Sequence, residues 1–169
     1  SEVLEECGVW NRIFADISVT GRVREALLRA AQRKLDTAQR TALLFAEFND
    51  PVKLRQRLQA LRVDADTISL CEIFCRLHHT LFTLHEAGDY VTFLEAADVL
   101  RRPSRFESFL ATCAAFDPQI DFAALRLAAR AFIETDAGAA ARQAQGKNVA
   151  QAVRQARLAA VKSALCHSL

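Results

Sequence analysis

Between Thr67 and Ala87, residues Ile68, Leu70, Ile73, Phe74, Leu77, Leu81 and Leu84 return at intervals of three and four, the pitch of an α-helix rather than the alternation of a strand. Their apolar face covers more than half the helix circumference, as expected of a helix buried among other helices. Elsewhere the chain is equally short of strand signals. It holds only 5 Gly and 3 Pro and is rich in Ala, Leu, Arg, Gln and Glu, with few runs of β-branched residues. With 169 residues, 51% of them hydrophobic, one ordinary core can form. The expectation is an all-α, single-domain protein over 1–169, an irregular antiparallel bundle of about eight helices in which 137–169 form an Ala- and Arg-rich C-terminal segment.

Cap residues set the expected boundaries, because a side-chain acceptor before a helix, or a proline at its first position, deals with otherwise orphaned backbone donors. A first helix is expected from Glu2 to Asp16, with Val3, Cys7, Trp10, Ile13, Phe14 and Ile17 inward. Thr20 opens the second, Arg22 to Lys34, and Asp36 with Gln39 forms a capping box for a helix reaching about Phe48. Asp50-Pro51 starts another to about Arg62. The long apolar helix then runs from Asp66 to Gly88, where glycine is placed to take the left-handed terminating conformation. Asp89 caps the next, Pro103 stops it, and Ser104 with Glu107 opens one to Phe116. Asp117-Pro118 repeats the start signal for a helix to Glu134, and the last stretch, Asp136 to Leu165, is helical with an interruption at Gly146.

The acidic opening (Glu2, Glu5, Glu6) is unlike a signal peptide, and no apolar run approaches the roughly 18 residues of a membrane span. An intracellular, soluble, cytoplasmic protein with no membrane partner is expected. Cys7, Cys71, Cys75, Cys113 and Cys166 are an odd set without disulfide-scaffold spacing, so reduced thiols are expected.

On an α-helical wheel Cys71, Cys75, His78, Phe82 and His85 fall within about 80° of one another. Thiols and imidazoles are ligand types zinc prefers. The surrounding apolar face, and the absence of a second ligand pair, point instead to core cysteines and core or boundary histidines. Neither a positioned nucleophile with its base nor a glycine-rich phosphate loop is apparent. The carboxylates that could pair, such as Asp64 with Asp66 or Asp117 with Asp121, sit where helix capping explains them. No catalytic residue, metal, cofactor or small-molecule substrate is therefore expected, and a non-enzymatic role follows.

Charge is segregated along the chain. All but Lys34, Lys53, Lys147 and Lys162 of the 22 basic residues are Arg. Residues 20–40 carry Arg22, Arg24, Arg29, Arg33, Lys34 and Arg40 against Glu25 and Asp36. Acids outnumber bases over 61–100, and 137–169 holds Arg142, Lys147, Arg154, Arg157 and Lys162 with no acid. On the last helix Val149, Val153, Ala156 and Ala160 make a seam of small side chains suited to close helix approach. These features lead to an interaction or assembly protein that binds protein partners or copies of itself. The alternative is a nucleic-acid-binding, nucleocapsid-type protein whose arginine-rich helices contact phosphates. The contact residues expected are Arg22, Arg29 and Arg33 on the second helix and Val153, Arg154, Arg157, Ala160 and Lys162 on the last.

Overall fold

The computed structural model describes residues 19–144 and 148–166, so the expected first helix with Trp10 lies outside the described residues, as do Gly146, Lys147 and His167. Among the described residues there are nine α-helices, one 3-10 segment and no strand. The all-α expectation holds. The helices are α1 (Gly21–Gln32), α2 (Thr37–Leu44), α3 (Pro51–Ala60), α4 (Ala65–Leu77), α5 (Ala87–Ala96), α6 (Pro103–Phe116), α7 (Ala123–Glu134), α8 (Ala137–Gln143) and α9 (Val149–Cys166), with the 3-10 segment at His78–Thr83.

Two compact units make up these residues. The first takes in the described residues up to His78 together with Ala111–Pro118, and the second His79–Leu110 with the described residues from Gln119 on. In the first, α4 packs against α2 and α3, and α1 packs against α2. Leu43, Leu54, Leu58, Ile73 and Phe74 are all but fully buried there. In the second, α9 lies against α5, α7 and α8, and α5 packs on α7. Val91, Leu94, Phe109, Phe132 and Val161 fill its interior.

Most starts fall where the caps put them. Thr20 Oγ1 accepts from Val23 N at 3.3 Å, and Asp36 and Gln39 form the reciprocal capping box at 2.8 and 2.9 Å. Asp50 accepts from Val52 N and Lys53 N, at 3.0 and 3.1 Å. Asp64 rather than Asp66 caps α4, through Thr67 N at 2.9 Å and the Thr67 hydroxyl at 2.7 Å, which holds its carboxyl below the ordinary carboxylate range.

Four expectations are corrected. Gly88 does not end a helix. It sits in the first turn of α5, where Glu86 and Asp89 form the capping box. Pro103 is the first residue of α6 rather than only a stop, since a proline's missing N–H costs nothing at that position. Asp117-Pro118 starts nothing: α7 begins at Ala123, whose N–H donates to Asp121 Oδ1 at 2.8 Å. The long helix also breaks at Leu77 into the 3-10 segment.

The left-handed residues that close α1, α3 and α5 are not glycines, and two of them, Lys34 and Arg62, are where the helices were expected to end. Lys34, Arg62 and Asp98 take φ of 56°, 57° and 53°. After them Leu35 N, Val63 N and Val99 N reach back to the carbonyls of Ala30, Leu58 and Leu94 at 2.9, 3.0 and 3.3 Å. These are Schellman closures carried by residues that ordinarily disfavour the conformation.

Candidate nucleic-acid interface

In the first unit α1 is amphipathic, with Val23, Ala26 and Ala30 buried. Arg22, Arg29 and Arg33 lie together on one flank of that buried face. Their position draws two of them toward internal acceptors. Arg29 donates from Nε to the Ala115 carbonyl at 2.7 Å and from Nη2 to the Phe116 carbonyl at 3.1 Å, forking over the last turn of α6. Those carbonyls are the orphan acceptors a helix leaves at its C-terminus, where a cation also meets the negative end of the dipole. The Arg22 guanidinium lies 4.2 Å over the Phe116 ring and 3.6 Å from Asp117. Arg33 closes α1 and is exposed.

Arg24 projects from the opposite face of α1, and Lys34 and Arg40 follow on the turn into α2; all are exposed. Among the described residues no carboxylate pairs with Arg24, Arg33, Lys34 or Arg40. Leu28, beside Arg24 on the wheel, is 61% exposed. The expected contact set includes Arg33 but omits Arg24, Lys34 and Arg40. Of the cations flanking the apolar stripe of α1, Arg22 and Arg29 meet a ring and carbonyls, while Arg33 at the helix end and Arg24 on the other side stay in water.

In the second unit the basic side chains of α9 also hold internal partners. Arg154 Nη2 donates to Thr92 Oγ1 at 3.0 Å, with its Nε 3.7 Å from Glu95. The Arg157 guanidinium lies 4.6 Å over the Phe132 ring. Lys162 is exposed. Val153 and Ala160 are half-buried, and α9 docks on α5, α7 and α8 within its own unit. A groove of about 430 Å³ between α6 and α7 is walled by Phe106, Ala129 and Ile133. On its rim Arg126 pairs with Glu107 and Arg130 with Glu134, both at 2.9 Å, so its cations are neutralised.

The cysteine stripe behaves as core. Burial pushes the Cys71 thiol up to about 12, raises Cys75, and lifts Cys113 well above the ordinary thiol value. Cys75 Sγ donates to the Phe48 carbonyl at 2.7 Å. His78 stacks on Phe74 at 4.7 Å, with Nδ1 2.7 Å from the Phe74 carbonyl, and meets Phe116 edge-on at 5.3 Å. The expected alignment of Phe82 and His85 with this stripe requires α-helical register, which ends at Leu77. A 3-10 segment advances about 120° per residue against about 100° for an α-helix. Phe82 is accordingly 56% exposed.

Comparison with known proteins points to enzymes that add CCA. The chain is similar to the CCA-adding enzymes of Bordetella bronchiseptica and Bordetella pertussis, at 32% identity over 165 residues in each case. The alignment takes in 96% of this chain and 44% of either relative. The Multifunctional CCA protein of Burkholderia ambifaria is 36% identical over 121 residues, 63% of this chain and 29% of that protein. No family model and no solved structure matches.

The chain thus spans less than half the length of the curated relatives it matches. This similarity overturns the expectation of a non-enzymatic assembly or nucleocapsid-type protein, and with it the labels of self-assembly, protein binding and structural protein. A stretch without a recognisable catalytic motif can belong to an enzyme whose reacting groups lie elsewhere in its chain. No helix among the described residues is long and apolar enough to cross a membrane.

Proposed function

We propose that this chain is a helical portion of a CCA-adding enzyme, and that it holds the RNA, in this reading a transfer RNA, to which the nucleotides are added. The observation that carries the reading is the 32% identity to CCA-adding enzymes across 96% of the chain. Nucleotidyl transfer needs phosphates held by metal-bearing carboxylates. Since the chain spans 44% of these relatives, this reading gives the chemistry, and the nucleotides as small-molecule substrates, to the remainder of such an enzyme, and RNA contact to this part.

Phosphate contact falls to the exposed cations Arg24, Arg33, Lys34 and Arg40 in the first unit, with Lys162 a further contact in the second. Arg22, Arg29, Arg154 and Arg157 act as internal ties, and Val153 and Ala160 as packing. The test is a gel-shift titration of the chain with an RNA hairpin ending in a 3′ single strand. Binding is expected, and Arg24→Gln, Arg33→Gln, Lys34→Gln and Arg40→Gln combined should weaken it at least tenfold. An unaltered chain that leaves the RNA unshifted, or a quadruple variant that binds as tightly, would overturn the reading.

A further inference from the structure

Among the described phenylalanines Phe82 alone is exposed, at 56%, whereas the others are buried or half-buried. It sits in the 3-10 segment His78–Thr83, where side chains three residues apart eclipse one another. His79, three residues earlier, is exposed, and so is His85, three residues later and just beyond the segment. His79 and Phe82 thus reach solvent from one line of the 3-10 segment, and His85 reaches it from the irregular stretch that follows.

Residues around the row narrow what it can take. Leu81 and Leu84 beside Phe82 are half-buried, so the ring is the apolar group left in water rather than part of a wide greasy patch. Glu86 and Asp89 follow His85, and Asp89 accepts from the backbone N–H groups of His85 and Glu86 at 3.1 and 2.9 Å. Acids at that end disfavour phosphate oxygens. An exposed ring face suits the flat face of an unpaired base, because stacking needs a π-surface and every base has one.

We propose that the row His79–Phe82–His85 is a stacking platform for an unpaired nucleobase of the bound RNA, with Phe82 as its central contact. This rests on the reading of the chain as an RNA-holding part of a CCA-adding enzyme. It adds a base contact, in a segment rich in acids, to the phosphate contacts argued above.

The test uses the whole chain with Phe82→Ala and Phe82→Trp, titrated by fluorescence anisotropy against a labelled single-stranded RNA and a fully paired duplex of the same length. Circular dichroism confirms that each variant is folded, which the exposure of Phe82 favours. Phe82→Ala should lose about 5- to 150-fold in affinity for the single strand, the range for one aromatic–base stack. It should change duplex binding by less than about twofold and leave the salt dependence of binding unaltered, since no phosphate contact is removed. Phe82→Trp should restore affinity, and its added emission should be quenched on binding the single strand.

Equal affinity of Phe82→Ala and the unaltered chain for the single strand would overturn the platform while leaving RNA binding intact. So would an equal loss on strand and duplex. A Phe82-dependent change in mass by light scattering, with RNA affinity unchanged, would assign the ring to a protein contact and overturn it as well. If the unaltered chain binds neither RNA, the platform and the proposed function fail together.

Discussion

Replacing Arg29 by Met keeps most of the apolar stem and removes the fork, which isolates what the guanidinium does in the first unit. In the native chain it donates at 2.7 and 3.1 Å to two carbonyls at the end of α6, with its side chain 25% exposed. A hydrogen bond from a charged donor contributes about 1.5–3 kcal/mol net. Two of them set an upper range of about 3–6 kcal/mol. Water reaching the exposed quarter of the side chain and the ordering entropy of arginine, about 2 kcal/mol, offset part of this. The 3.5 Å pair with exposed Glu25 adds little. The expected loss is about 2–3 kcal/mol. With a urea slope near 2 kcal/mol/M, the midpoint followed by far-UV circular dichroism should fall by about 1–1.5 M. Arg29→Lys, which reaches only one carbonyl at a time, should lie between. An Arg29→Met midpoint within about 0.2 M of the native one would refute the assignment of this residue as an internal tie.

Other expected outcomes test the second unit, the thiols and the caps. Phe132, 1% exposed and covered by the Arg157 guanidinium, should cost about 3–5 kcal/mol on change to Ala in the same unfolding assay. At pH 8, iodoacetamide followed by peptide mapping should label exposed Cys166 and leave Cys71 and Cys113 protected until the chain is unfolded; labelling of native Cys71 would contradict its burial and its thiol value of about 12. Hydrogen bonds from helix N-terminal N–H groups hold the Asp50, Asp64 and Asp89 carboxyls below their ordinary 3.8. Their folded values are depressed, so the stability they contribute is present above about pH 4 and is lost as pH falls through the lower folded values. Changing all three to Asn, which caps without titrating, should flatten the acid limb of the stability–pH curve.

Helix content and most helix starts were legible in the sequence because cap chemistry is local. Thr20, Asp36 with Gln39, and Asp50-Pro51 each satisfy donors within three residues. The ends at Lys34 and Arg62 were legible although neither is the glycine their left-handed conformation favours, whereas the end at Asp98 was not, the stop being expected at Pro103. The break after Leu77 carries no Gly or Pro. Its segment, His-His-Thr-Leu-Phe-Thr, is made of weak helix formers apart from Leu81, and Thr83 Oγ1 donates to the Thr80 carbonyl at 2.9 Å. Continuing the apolar period through it carried Phe82 into the predicted core, and the aromatic row was lost with it. Counting charge over 20–40 locates the basic segment but not which of its cations meet internal partners. Arg22 and Arg29 lie beside the buried stripe and are captured by Phe116 and the end of α6, whereas Arg24 faces away. The similarity to CCA-adding enzymes was not legible because segregated charge suits several partners, and no motif in this stretch singles one out.

Measuring RNA affinity across a salt series, for the unaltered chain and for the variant with Arg24, Arg33, Lys34 and Arg40 changed to Gln, bears most directly on RNA holding by these cations. Log affinity should fall linearly with log salt for the unaltered chain, and the slope should be shallower by about 3 in the variant, near 0.7 for each of four phosphate contacts to a single strand. Identical slopes, or affinity indifferent to salt, would contradict it.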